Sequence, residues 1–138
     1  MPLNLEFEFS YPFGPVIDLR LRSPNSSAST LSSALVDTGA DISLFDESVA
    51  ESLGIDLTGL GEVVIRGVGG SLTVARLITI EPLLLDEPDL SVTGNIAFAR
   101  IRGLGTGNLI GLDILDHFDF GLSHRDRLGY LGRTVESN

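Results

Sequence analysis

Ala34-Leu35-Val36-Asp37-Thr38-Gly39-Ala40-Asp41 is an apolar run that ends on an acid and turns at once through a glycine. A carboxylate at the end of a buried strand has a rigid support, Gly39 lets another backbone approach, and the Thr38 hydroxyl can brace the acid's surroundings. The stretch reads as a catalytic carboxylate on a stiff strand. Asp-Thr-Gly is also an ordinary turn sequence, because Asp and Gly favour turns on conformational grounds alone. A second candidate is Arg66-Gly67-Val68-Gly69-Gly70, whose backbone N–H groups could come close to a ligand. A phosphate cradle does not fit, since no helix follows these glycines and no lysine accompanies them. A third is Asp113, Asp116 and His117, at helical spacing. Metal binding would need a second ligand pair that the chain does not offer, so capping and a solvated face account for these three and no metal or other cofactor is expected.

The elements that must position these residues are mostly strands. Leu3 to Phe9 alternates apolar and polar residues with period two and is placed to pair with a partner chain; Tyr11 to Pro15 breaks it. Val16 to Leu21 and Thr30 to Val36 form a hairpin around the polar stretch Ser23 to Ser27, and that hairpin delivers Asp37. Ile42 to Phe45 is a short strand, and Asp46 caps a helix from Glu47 to about Leu53 that Gly54 stops. Glu62 to Ile65 and Ser71 to Ile80 make a hairpin with the glycine-rich tip. The strand runs on through Leu85 to the acidic turn Asp86 to Asp89, and Val92 to Ile101 returns. Asn108 to Gly111 is a compact apolar segment before a helix from Leu112 to Phe118, and Phe118 to Leu131 is a terminal hairpin.

Bulk properties narrow the function classes. At 138 residues and 14.7 kDa, residues 1–138 are expected to form a single domain with one catalytic centre at most. The chain is 43% hydrophobic with a mean hydropathy of +0.28, which is high for a small soluble monomer and points to a buried subunit surface. A net charge of −10, with every basic residue an arginine, argues against nucleic-acid binding. Cysteine is absent, which excludes disulfides and thiolate metal sites. No apolar run reaches membrane-spanning length, and Met1 to Phe9 lacks the basic start and apolar core of a signal peptide, so a cytoplasmic location is expected unless the chain is an excised domain.

Three features stand in a fixed order: Leu35-Val36-Asp37-Thr38-Gly39-Ala40, the hairpin Ile65-Arg66-Gly67-Val68-Gly69-Gly70, and Leu109-Ile110-Gly111-Leu112-Asp113-Ile114-Leu115. Together they resemble the retropepsin-like aspartic proteases, the retroviral proteases and their cellular relatives, over nearly the whole chain from Val16 to Leu131. The resemblance implies an all-β fold: a small closed acid-protease-type barrel with a flap hairpin, one or two short helices and one lobe per chain. It assigns Asp37 as the catalytic acid, with Thr38 and Gly39 in the catalytic motif. Ala40, Asp41 and the flap residues Gly67, Val68 and Gly69 would contact substrate. Leu109-Ile110-Gly111 is similar to the segment that packs behind the catalytic loop. Retroviral members commonly carry Arg after that glycine, pairing with the acid just past the motif; this chain has Leu112, so Asp41 must find another partner.

Aspartic proteolysis needs two carboxylates around one water, one to accept its proton and one, protonated, to polarise the scissile carbonyl. This chain carries one such motif. Asp119-Phe120-Gly121 has the wrong middle residue, so the resemblance implies a homodimer in which Asp37 of each copy meets at a two-fold axis. The expected substrate is an extended peptide, with pockets lined by residues such as Val68 and Ile114 favouring apolar side chains. The alternative is a catalytically silent dimerisation or peptide-binding module on the same fold.

Overall fold

The alternation of Val16–Arg22 is realised as burial: Ile17, Leu19 and Leu21 lie in the core, while Val16, Asp18 and Arg22 face out, the period of two that a half-buried strand imposes. The computed structural model describes residues 5–23, 25–66, 72–101 and 107–133. It is mostly β, with β1 (Phe7–Ser10), β2 (Val16–Arg22), β3 (Ser29–Val36), β4 (Leu44–Asp46), α1 (Glu47–Ser52), β5 (Glu62–Arg66), β6 (Leu72–Leu84), β7 (Gly94–Ala99), β8 (Leu109–Ile110), α2 (Leu112–Leu115), β9 (Asp119–Ser123) and β10 (Leu128–Gly132).

Seven strands run in the order β2-β3-β8-β4-β7-β6-β5, and a further β2–β6 pairing brings the sheet round on itself. Where a closed barrel was expected, the sheet is ring-like without being formally closed. Its weakest link is β4–β8, a single antiparallel pair, Leu44↔Leu109. The Asn108 side chain reinforces that link: its Oδ1 accepts the Asp46 N–H at 2.8 Å, and its Nδ2 donates to the Ser33 carbonyl at 3.0 Å. The long strand β6 changes partners along its length, pairing with β7 from Arg76 to Ile80 and with β2 from Glu81 to Leu84. Pro82, which has no N–H to donate, falls in the second section.

Inside the ring, Phe45 from β4 and Phe98 from β7 are fully buried and pack as a tilted pair, 6.2 Å between centroids. Burying side chains of this size contributes roughly 1.5–3 kcal/mol each, so adjacent strands are held by the core as well as by their ladders. Helix α1 forms as expected and sends Ala50, with Leu53 just after it, into the core. The Asp46 carboxylate accepts the Ser48 N–H, and Gly54 takes a left-handed conformation (φ 68°) after the last turn.

The chain ends form a separate sheet of three strands, β1-β10-β9. The first strand pairs within its own chain, with Phe7 opposite Leu131 and Ser10 opposite Leu128, and forms the edge of that sheet. Gly129 permits this, because a Cβ there would lie 2.1 Å from the Phe9 ring. Two elements are shorter than their sequence periodicity suggests. Helix α2 stops at Leu115 and loosens into turns through Phe118, with His117 N–H on the Ile114 carbonyl. Strand β7 runs only from Gly94 to Ala99, after a 3-10 turn at Pro88–Leu90. Among the described residues, no helix is long and apolar enough to cross a membrane.

Candidate active site

The end of β3 is gripped from both sides. Val36 donates its N–H to the Pro15 carbonyl at 2.8 Å, and Leu35 and Asp37 donate to the carbonyls of Asn108 and Ile110, each at 2.9 Å. Beyond Asp37 the backbone turns tightly: Ala40 N–H donates to the Asp37 carbonyl at 3.1 Å, and Gly39 N–H donates to Asp37 Oδ1 at 2.9 Å. The conformational and the functional readings of Asp-Thr-Gly thus describe the same bonds, since an Asx-type turn fixes one carboxylate oxygen. A Cβ on Gly39 would stand 3.3 Å from that oxygen, tighter than ordinary contact. Asp37 is half-buried, whereas Thr38, Gly39 and Asp41 are exposed and Ala40 lies between. The five residues assigned to this turn are therefore brought together, with the acid set slightly below its rim.

Behind the turn, the segment leading into α2 serves as a backing plate. Leu112 N–H donates to the Ala40 carbonyl at 2.8 Å, and Asp113 N–H to the Asp41 carbonyl at 3.2 Å. Gly111 makes the approach possible: a Cβ there would lie 2.6 Å from the Ala40 carbonyl oxygen and 3.0 Å from the Ile42 carbonyl. One side-chain pair completes the contact. Ser43, 0% exposed, donates its Oγ–H to Asp113 Oδ1 at 2.6 Å and accepts the Gly111 N–H at 2.9 Å. The Asp113 carboxylate also accepts the Ser43 N–H, at 3.0 and 2.9 Å to its two oxygens, and the Ile114 N–H at 2.9 Å.

The role of this pair was not legible in the sequence. Asp113 read as a cap on a solvated helix face, and Ser43 as one residue of a short strand; they are 70 positions apart. The Asp113 carboxylate is occupied by protein donors. Among the described residues no group of three or more His, Cys, Asp or Glu could hold a metal ion. The Asp41 carboxylate takes no donor from another described residue; its main chain is what α2 holds.

Other expectations sort plainly. Gly67, Val68 and Gly69 lie outside the described residues, but their hairpin stem is present: Val64 pairs with Val74 and Arg66 with Leu72. Its inner face, Val63, Ile65, Ala75 and Leu77, packs on Leu44, Ala97 and Ala99. Its outer face leaves Val64, Leu72 and Val74 more than half exposed. Ile114 is 3% exposed and belongs to the main core. Asp119 belongs to β9 in the separate sheet, in register with Gly132.

A protein-family model described as aspartyl protease matches residues 28–114, from the approach to β3 through the first turns of α2. The match spans the Asp37 turn, the hairpin stem and the Gly111–Asp113 backing segment. No curated protein matches the chain.

Proposed function

We propose, for a chain that belongs to the aspartyl protease family, an aspartic endopeptidase that acts as a homodimer on extended polypeptide segments. The observation that carries this reading is the presentation of Asp37: a half-buried carboxylate at a clamped strand end, with one oxygen held by the Gly39 N–H and with Thr38 and Gly39 exposed beside it. A carboxylate so fixed is preorganised to meet a reacting water without further ordering.

In the dimer, Asp37 of each copy flanks one water. The ionised member takes a proton from the water, whose oxygen bonds to the scissile carbonyl carbon, while the protonated member donates to the carbonyl oxygen. Collapse of the tetrahedral intermediate breaks the C–N bond as the amine leaves with a proton from the dyad. Two carboxylates this close cannot both ionise cheaply, so the site holds one proton between them, as is general for aspartic proteases. Thr38 bonds across the axis and holds the two turns in register. The Gly67-Val68-Gly69 tip closes over the peptide, excludes water and donates backbone N–H groups, and Ala40 and Asp41 meet the substrate main chain.

Exposed apolar side chains support association: Phe13 is 81% exposed and Ile42, just past Asp41, 38% exposed. The unit is one domain over residues 1–138 that needs no cofactor. A cytoplasmic location is part of the same reading, although a chain without cysteine is compatible with either redox compartment. The test compares wild type with Asp37→Asn on a mixed peptide library across pH, with sedimentation in parallel. Cleavage by wild-type dimer that disappears in Asp37→Asn is the expected result. Equal cleavage by the pure variant would sink the mechanism, and a stable wild-type dimer that cuts nothing would favour a peptide-binding module.

A further inference from the structure

We propose that Asp113 and Ser43 are positioning residues for the Asp37 turn, acting together as a lock whose charge comes from Asp113. This rests on the reading of Asp37 as the catalytic acid.

Three observations carry it. First, the pair is the densest polar contact behind the turn: one carboxylate accepts from Ser43 N–H, Ser43 Oγ–H and Ile114 N–H, and Ser43 Oγ in turn accepts from Gly111 N–H. A carboxylate satisfied by several donors is held firmly, and bonds to an ionised acceptor are stronger than neutral ones. Second, Ser43 is fully buried, so removing its hydroxyl strands the Gly111 N–H where water cannot replace the acceptor. Third, the lock sits at the far end of the segment whose near end is Asp37. The backbone leaves Asp37, is held at Ala40 and Asp41 by α2 amides, and is fastened at Ser43.

The geometry also accounts for Leu112. A cationic side chain after Gly111 would tie the turn through the Asp41 carboxylate; here the same stretch is tied one residue later on one side and two residues later on the other, by Asp113 to Ser43. The anchoring group is an anion instead of a cation, and it is half-buried behind the turn and bonded to the fully buried Ser43. Asp41 is thereby left exposed and available to a ligand.

The test uses Asp113→Asn, Ser43→Ala and Ser43→Thr in the full chain, read by thermal melting, sedimentation, steady-state kinetics and amide hydrogen exchange. Asp113→Asn keeps the volume but turns an amide N–H₂ toward the Ser43 N–H. Folded, dimeric Asp113→Asn and Ser43→Ala should lose about 100-fold in kcat, the scale of a small displacement of a catalytic group. KM should stay within about threefold of wild type, because the substrate contacts are not removed. Ser43→Thr keeps the hydroxyl and should recover most of kcat. Exchange should accelerate at the Ala40 and Leu112 amides while the β6–β7 ladder stays protected. Unchanged kcat in both folded variants, or a rise in KM alone, overturns the proposal. If Asp113→Asn does not fold, Ser43→Ala against Ser43→Thr decides by the same readouts. If wild type cleaves nothing, the peptidase reading fails and exchange alone judges the lock: faster exchange confined to the turn upholds it, and an unchanged pattern rejects it.

Discussion

Gly111 and Ala40 come so close that a methyl group on Gly111 would lie 2.6 Å from the Ala40 carbonyl oxygen. That oxygen already accepts the Leu112 N–H at 2.8 Å, so neither backbone can give way without breaking the bond that backs the Asp37 turn. Gly111→Ala should therefore destabilise the fold by about 1–3 kcal/mol, the usual cost of forced overpacking, and depress activity more than Tm implies. Gly94→Ala is the control: nothing stands within 4 Å of its Cβ, and the change should stay within about 0.5 kcal/mol. Urea unfolding of both variants checks the contrast.

The terminal sheet depends on a second close approach. Gly129→Ala places a Cβ 2.1 Å from the Phe9 ring and should cost about 1–3 kcal/mol through displacement of β1. Combining it with Phe9→Ala removes the clash, so the double variant should be less destabilised than the sum of the two single changes. A double-mutant cycle on chemical unfolding measures the coupling; strict additivity would show that the ring and Gly129 are not in conflict.

Asp46 serves two elements at once. Its Oδ2 accepts from Ser48 N–H and Oγ–H at 3.0 and 2.5 Å, and its Oδ1 accepts the Ile101 N–H at 3.0 Å. Asp46→Ala should cost about 2 kcal/mol, the upper end of the N-cap range, with Asp46→Asn intermediate. Thermal melting gives the order.

What was readable in the chain and what was not divide along a physical line. Short-range patterns survived: the alternation of Ile17, Leu19 and Leu21, the Asp46 cap with Gly54 at the other end of α1, and the Asp37 turn are all encoded within a few residues. The sharing of β6 between β7 and β2, the return of β1 onto β10, and the Ser43–Asp113 pair depend on contacts between distant segments, for which one sequence carries no periodicity. Gly111 lay between: its place after Leu109-Ile110 was visible, but the carbonyl it accommodates is 71 residues earlier in the chain.

One ion pair yields a pH prediction. Arg20 Nε donates to Asp86 Oδ1 at 2.8 Å; that hydrogen bond is the main cause holding the Asp86 carboxyl below its ordinary range, and Arg20 is raised in turn. A carboxyl lowered by folding contributes stability that is present above its unfolded value and is lost as pH falls through its folded value. Arg20→Gln should move the Asp86 titration upward, and the small stability difference from wild type should vanish in acid. Carbon-detected NMR titration of the Asp86 carboxyl tests it; an unmoved midpoint would rule out the pair in solution.

The central claim is that two Asp37 carboxylates from two copies make one site. Mixing wild type with increasing fractions of Asp37→Asn at constant total concentration, after full subunit exchange, tests it most directly through the rate of peptide cleavage. If both carboxylates are required, activity falls as the square of the wild-type fraction. A linear fall, with each chain working alone, would contradict the shared site.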